Sequence, residues 1–328
     1  MTEIKGKGNI VARVVCDSIS IAGVRLTTFE VEFPRYILSE ANTHRAHSRN
    51  AASTRAIPIL RMLEQIANEP AMPIYYGKNQ AGMSASEELD DQSKSACEQI
   101  INEMREFCMG KVKELSELGL HKQHAGRYIE AWQMVKGVIS ATDFENWYWL
   151  RDHEAAQPEI AELARCMSTA RDASAPRLLK PGEYHLPYLG YACDDSGILR
   201  YGDIGRFGTD EPAWEEYSLE DAIKVSCARC AAVSYRRTDY GVEKSREVYA
   251  RLVGDDRKHA SALEHVATPM QRRAWDIDME DGINIQTMPY TWEKGVSHSD
   301  RQGQLWSGNI RGWVQHRKLI PGENKSEY

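Results

Sequence analysis

Residues 9–33, NIVARVVCDSISIAGVRLTTFEVEF, decide the fold class of this 328-residue chain. The run consists of two stretches of β-branched and apolar residues, with an Ala-Gly turn signal at 22–23 between them. In the second stretch Phe29, Val31 and Phe33 alternate with glutamates, which is the period of a half-buried strand. The sequence therefore predicts two β-strands joined by a turn near the start of the chain.

Helical patterns follow this β region. Apolar residues recur at helical spacing over 86–118, and Gly119 lies where a C-cap glycine is expected. A capping-box pattern opens a helix at 142–145, and Pro158 is suited to the first turn of another. Further helices are predicted around 219–233 and 242–252. The Gly-, Pro- and Asp-rich stretch at 181–215 predicts an irregular connector or insertion.

Composition and charge exclude several function classes. With 42% hydrophobic and 27% charged residues, the chain is not disordered throughout. It has 41 Lys+Arg against 48 Asp+Glu, a net charge of −7, and nucleic-acid affinity depends mainly on neutralising phosphates. Seven scattered cysteines form no disulfide framework, and no signal peptide or membrane-length apolar run is present. We therefore expect a cytoplasmic protein that binds neither nucleic acid nor membrane.

The only CxxC motif joins Cys227 and Cys230. A zinc site would need a second pair of ligands at suitable spacing, and the sequence has none. We therefore predict two cysteines on one helix and no metal site.

The segment 43–61, THRAHSRNAASTRAIPILR, is the candidate ligand-binding stretch. It holds four arginines, two histidines, four hydroxyl residues and no acid, within a chain of net charge −7. Arginine presents a rigid fork of donors that matches phosphate oxygens, and serine hydroxyls and backbone N–H groups can complete the shell. The alternative is a solvated face that pairs with acids from elsewhere, and the composition of the segment leaves both interpretations open.

The same segment resembles a signature of the flavin-dependent (ThyX-type) thymidylate synthases. The triplet Thr-His-Arg at 43–45, followed after seven residues by Ser53, resembles the family's RHR-x7-S motif. Asn50 and Arg55 match the extended form of that motif.

Three further motifs resemble the same family. HKQHAGRYIE at 121–130 is similar to a nucleotide-contacting segment, and TDFENWYWLRDHEAAQPE at 142–159 resembles the N-F-x-x-L-R…A-Q-x-E-I block. HASALEH at 259–265 is similar to the H-x-S/T-P-F-E-H flavin motif. In the family this last motif precedes the RHR triplet, whereas here it follows the matching triplet. CARCAAVSY at 227–235 resembles an N-terminal element of the family and also lies late in this chain. The chain thus resembles a circularly permuted relative, which is tolerable because domain termini often lie close together.

The resemblance implies a role for each matched residue. Flavin contacts are implied for His44, Arg45, Asn50, Asn146, His259, Ser261 and Glu264. Substrate contacts are implied for Glu40, Ser53, Arg55, Arg127 and Arg151. Among the latter, Ser53 and Arg55 would hold the nucleotide phosphate, and Arg151 would be the catalytic residue that reaches the uracil or ribose. Without the motifs, Arg127 and Arg151 would be interpreted as surface ion pairs.

The resemblance also implies an activity and a fold. The activity is an FAD-dependent methyltransferase reaction, the reductive methylation of dUMP to dTMP with methylenetetrahydrofolate and NADPH as co-substrates. Because this chemistry needs no enzyme nucleophile, the protein acts by positioning and polarising its ligands. The implied fold is α+β, with an antiparallel sheet and long helices, assembled as a homotetramer with shared active sites. We expect a core over 1–180, a connector over 181–218, and a helical portion over 219–328 that completes the same catalytic fold.

Three departures from the family pattern lie near the substrate. Thr43 replaces the first arginine of the triplet, Ala51 stands where a glutamate is common, and Glu40 stands where a glutamine is common. They leave open the same flavin chemistry on another uracil nucleotide, such as methylation or hydroxymethylation of UMP. A non-catalytic nucleotide-binding protein is the alternative from a different class, and it predicts a colourless preparation.

Overall fold

A computed structural model describes residues 3–205, 213–233, 239–254, 258–271, 277–278, 283–284 and 292–324. The main sheet contains β1 (Glu3–Lys5), β2 (Val11–Ser20), β3 (Arg25–Pro34), β4 (Ser48–Ala51), β5 (Met134–Ala141) and β6 (Arg177–Leu179). Its order is β1-β2-β3-β5-β4, with antiparallel neighbours, and β6 pairs in parallel with β2 beside β1. The predicted pair of strands is confirmed as the central β2–β3 hairpin, whose turn contains Gly23 with φ +78°. The chain is therefore an α+β protein.

The two faces of β3 are both covered, which differs from the half-buried strand that the sequence predicts. Phe29, Val31 and Phe33 are buried in the main core as expected. Glu30, however, is only 6% exposed. Its carboxylate pairs with Arg13 at 2.7 Å and Lys136 at 2.8 Å on the neighbouring strands. These two cations compensate the buried charge, so an alternating pattern here does not mark a solvated face.

The helices of the first 180 residues are α1 (Leu38–Ala41), α2 (Ile59–Asn68), α3 (Asp91–Glu117), α4 (Lys122–Ala125), α5 (Glu145–Arg151) and α6 (Pro158–Asp172). The structure confirms the long helix α3, followed by Gly119 at φ +88°, and the start of α6 at Pro158. The helix predicted to follow the pattern at 142–145 is confirmed as α5, but the capping box itself was wrong. The Thr142 hydroxyl donates to Asp143 at 2.8 Å, and α5 has no side-chain cap.

The prediction of an irregular connector over 181–215 was also wrong. This stretch contains a three-stranded antiparallel sheet of β7 (Gly190–Cys193), β8 (Leu199–Gly205) and β9 (Ala213–Tyr217). Its strands show no clear alternation because the Trp214 ring lies over glycines. A Cβ at Gly202 would lie 2.9 Å from that ring, and one at Gly190 would lie 3.1 Å from it.

The remaining elements are α7 (Leu219–Ala232), α8 (Val242–Gly254), β10 (Ala267–Pro269), β11 (Ile277–Asp278), β12 (Ile283–Asn284), β13 (His298–Ser299), β14 (Leu305–Ser307), β15 (Ile310–Arg311) and β16 (Trp313–Gln315). Both predicted helices are confirmed as α7 and α8, and Cys227 and Cys230 are buried together on α7. A 3₁₀ helix, Ala260–His265, connects α8 to β10 along the chain and packs against β4. Among the described residues, no helix is both long and apolar enough to cross a bilayer.

Candidate functional site

Strand β4, at the edge of the main sheet, is where distant motifs meet. The 3₁₀ helix Ala260–His265 packs directly against it. Helix α7 also contacts this strand. The Asn50 side chain on β4 donates a hydrogen bond from Nδ2 to the carbonyl of Cys230 on α7, at 2.6 Å. The segments around 43–55, 227–230 and 259–265 are therefore close in space although far apart in the chain.

A cluster around Arg151 joins the end of α5 to the turn that follows α1. Arg151 Nε donates to His44 Nε2 at 2.8 Å, and its Nη1 group donates to the Glu40 carboxylate. Its Nη2 group donates to Thr43 Oγ1 at 3.3 Å. We call Glu40, Thr43, His44 and Arg151 the Arg151 cluster. It unites three residues that the sequence predicts for the site, Glu40, His44 and Arg151, with Thr43. Two of the three departures from the family pattern, Thr43 and Glu40, therefore lie within it.

His44 is neutral in this arrangement, because its Nε2 atom accepts a hydrogen bond and so carries no proton. Burial lowers its pKa below the ordinary value, and the neighbouring guanidinium groups of Arg151 and Arg49 lower it further. The imidazole meets the Trp147 indole edge-on, with ring centroids 4.7 Å apart. The turn is thus fixed to α5 at two points, through Arg151 and through the buried Trp147.

Arg49 holds the same turn from within, a role that the sequence did not identify. Its Nη1 group donates to the carbonyls of Ala41 at 3.0 Å and His44 at 2.7 Å. Burial lowers the pKa of Arg49, and the Glu264 carboxylate opposes that effect. Glu264 is therefore near enough to influence Arg49, which links the 259–265 motif electrostatically to the turn. Membership of the acid-free segment was the only sequence signal for Arg49.

The predicted phosphate residues lie on an exposed loop after β4. Ser53 Oγ accepts the backbone N–H of Arg55 at 3.3 Å, and both side chains are exposed. Thr54 Oγ1 donates to Glu130 Oε1 at 3.1 Å, and Arg127 Nη1 pairs with the same oxygen at 2.9 Å. Glu130, which the sequence analysis did not single out, therefore brings Arg127 to the loop that carries Ser53 and Arg55.

Two further cations border this loop, and neither lies in the acid-free segment that drew attention in the sequence. Lys122 Nζ donates to the carbonyl of Ala56 at 3.1 Å. Arg35 donates to the carbonyl of Ala52 at 2.7 Å, and burial lowers its pKa. Lys122 lies within the 121–130 motif, although the resemblance assigned no role to it, and no local sequence pattern marks Arg35.

Two polar side chains of the 259–265 motif are exposed, and two others have partners within the protein. His259 and Ser261 are exposed, and they make no hydrogen bond to other side chains in the part of the chain that the structure describes. Glu264 pairs with Arg317, which also pairs with Glu323 at 2.7 Å. His265 is fully buried, and burial lowers its pKa to about 3.

His265 belongs to a buried chain of hydrogen bonds through the main sheet. Its Nδ1 atom lies 2.8 Å from Ser140 Oγ, which lies 2.6 Å from Thr28 Oγ1. Thr28 Oγ1 in turn lies 2.7 Å from His185 Nε2. The motif is thereby anchored to β5 and β3, strands that the sequence alone did not associate with it.

The side chains of Arg45 and Asn146 take no part in these contacts. Both are exposed, and neither side chain bonds to another described residue. On α5, Asn146 and Arg151 are five positions apart, about 140° around a helix, and only Arg151 reaches the cluster.

The described residues contain no group of three or more His, Cys, Asp and Glu side chains placed to hold a metal ion. No protein-family model matches the chain, and no curated protein matches it in sequence.

Proposed function

We propose that the protein is a flavin-dependent thymidylate synthase, an FAD-dependent methyltransferase that converts dUMP to dTMP with methylenetetrahydrofolate and NADPH. The observation that carries the proposal is the convergence at β4. Residues assigned to one ligand chemistry from four separate motifs lie on neighbouring elements, although the order of the motifs is permuted. A chance resemblance gives no reason for such segments to be adjacent in the fold.

The donor set fits a flavin. Arg45, His259 and Ser261 have exposed polar side chains with no side-chain partner in the described part of the chain, so they are available to a ligand. Asn50 and Glu264 already bond to Cys230 and Arg317. For these two residues we propose a supporting role, holding β4 and the 259–265 motif in place. Bound FAD would supply the hydride, as the protein's cofactor.

The nucleotide half of the site is positively charged at one end. Ser53, Arg55 and Arg127 would hold the phosphate, with Lys122 adding a cation at the rim of the loop. Arg151 would contact the base, and His44 and Thr43 orient its guanidinium group. The protein would thus work by positioning and electrostatics, as the motifs in the sequence imply.

The state of the nearby cysteines supports a route without a thiolate nucleophile. Cys230 adjoins Asn50, and both Cys230 and Cys227 are buried. Burial raises the pKa of each of these thiols well above its ordinary value. Burial also raises the pKa of Cys16 to about 12. These groups stay protonated at neutral pH, whereas a thiol attacks only as the thiolate.

We further propose a homotetramer with shared active sites. The apolar end of α5 supports this assembly, because Trp149 is 75% exposed and Leu150 is 42% exposed beside the Arg151 cluster. Large exposed apolar side chains next to a binding site are typical of a subunit interface.

The test begins with the colour of the purified protein. A flavin absorption band is expected, whereas a colourless protein with salt-dependent polynucleotide binding would support a non-catalytic nucleotide-binding function. The protein is then incubated with FAD, NADPH, methylenetetrahydrofolate and either dUMP or UMP, and the nucleotide is identified by mass. If flavin is bound and reduced but neither nucleotide gains a methyl group, the proposal fails.

A further inference from the structure

Residues 307–323 contact three of the segments that form the candidate site, although none of the family-like motifs lies within them. We call residues 307–323 the bridging segment. It donates one hydrogen bond to each of these segments: from Gln315 Nε2 to Ser48 on β4 at 3.1 Å, from Arg311 Nη2 to Asp143 before α5 at 2.8 Å, and from the His316 N–H to the Val266 carbonyl after the 259–265 motif at 2.8 Å. The bridging segment therefore connects parts of the site that are remote in the chain.

Arg317 of the bridging segment binds the acidic residue of the 259–265 motif. Its Nη1 group donates to the Glu264 carboxylate, and its Nε donates to Glu323 Oε2 at 2.7 Å. Lys318 Nζ donates to the other oxygen of Glu323 at 2.6 Å. The Glu264 side chain is only 17% exposed and that of Arg317 27%, so water screens their attraction incompletely. The guanidinium group is held between one carboxylate of the motif and one of its own segment.

The 3₁₀ helix Ala260–His265 has little to hold it in place by itself. It is six residues long, and no side chain caps its start. Hydrogen bonds in a 3₁₀ helix have poorer geometry than those in an α-helix, and side chains three positions apart lie one above the other. Ser261 and Glu264 therefore share a face of this helix. Holding the Glu264 carboxylate also fixes the direction in which Ser261 points.

We propose that Arg317 is a positioning residue for the flavin half of the site, and that it acts through Glu264. By holding this carboxylate it keeps His259 and Ser261 in the orientation in which they meet the cofactor. The inference rests on the proposed function for the identity of that cofactor. Arg317 lies outside every motif and reaches the site only through the fold.

The experiment compares Arg317→Ala with a matched control, Arg311→Ala, in the full-length protein. Arg311 lies in the same bridging segment, pairs with Asp143 and is exposed to a similar extent, 29% against 27%. Amide hydrogen exchange is measured over residues 260–266. Loss of a charged hydrogen bond favours local opening, so exchange there is expected to be about tenfold faster in Arg317→Ala. In Arg311→Ala it is expected to be unchanged.

Ligand binding is measured on the same preparations. Release of FAD on dilution, followed by its fluorescence, is expected to be about tenfold faster in Arg317→Ala, with the affinity for dUMP in titrations unchanged. Arg317→Lys keeps the charge without the two-pronged fork, and we expect it to lie between the wild type and Arg317→Ala in both measurements. This second variant tests the proposal even if Arg317→Ala does not fold.

Three results would overturn the proposal: exchange over 260–266 that is unchanged in both Arg317 variants, equal effects in Arg311→Ala, or parallel losses of FAD and dUMP binding, which would mean a general loss of structure. A wild-type protein that binds no flavin would instead refute the proposed function. The exchange measurement would then still decide whether Arg317 holds the motif.

Discussion

Acid should destabilise this protein strongly, because four of its histidines are buried in the neutral state. Burial lowers the pKa of His47, His185 and His265 to about 3, and that of His316 to about 4. The ordinary value is 6.5. Below pH 6.5 the unfolded chain therefore binds protons that the folded chain does not, and stability falls as the pH falls. The contribution of the four neutral histidines to the free energy of unfolding is fully present above pH 6.5. It is lost progressively as the pH falls towards 3.

The magnitude follows from the two pKa values of each histidine. Consider a histidine that has a pKa of about 6.5 in the unfolded chain and stays neutral in the folded protein. At pH 5 it lowers the free energy of unfolding by about 2 kcal/mol relative to neutral pH. Four such groups together cost about 8 kcal/mol, comparable with the whole stability of a typical domain, about 5–15 kcal/mol. Unfolding near pH 5.5 should accordingly take up between about three and four protons.

The assay is urea unfolding at constant ionic strength at pH 7.5, 6.5, 5.5 and 5.0, a range in which ordinary carboxylates are mostly ionised. His265→Gln should reduce the proton uptake by about one, because it removes one of the four buried imidazoles. A free energy of unfolding that changes by less than about 2 kcal/mol between pH 7.5 and 5.0 would refute the reasoning.

Three substitutions test other parts of the structure. Arg55→Ala should weaken nucleotide binding about tenfold in titrations, through loss of a charged phosphate contact, and leave the flavin absorption intact. Loss of flavin with unchanged nucleotide affinity would reassign Arg55 to the cofactor. Gly202→Ala should lower the melting temperature, because its Cβ would lie 2.0 Å from the carbonyl oxygen of Glu215 in the small sheet; an unchanged value would contradict this. Phe29→Ala should cost about 3–5 kcal/mol in urea unfolding, since the ring is fully buried against Phe144; a cost below about 1 kcal/mol would mean that the core refills the space.

Local patterns were sufficient wherever the physical cause is local. The β2–β3 hairpin follows from a strand period and a glycine turn within one stretch of chain, and α3 and α6 follow from helical spacing and terminal residues. The sheet of β7, β8 and β9 was missed because Gly190 and Gly202 interrupt the period that marks a strand. There the tryptophan that fills the space lies on a different strand, so the compensation is visible only after folding.

The candidate site divides in the same way. The sequence by itself determined that an acid-free basic segment lies at 43–61, and its motifs are the basis on which the ligands are proposed. Only the tertiary structure decided that Arg151 meets Glu40 and His44, which lie 111 and 107 positions away, and that Glu130 connects Arg127 to the Ser53 loop. Hydrogen bonds and charge pairs act over a few ångströms, and distances between remote residues are set by how strands and helices pack. Spacing along the chain carries no such information.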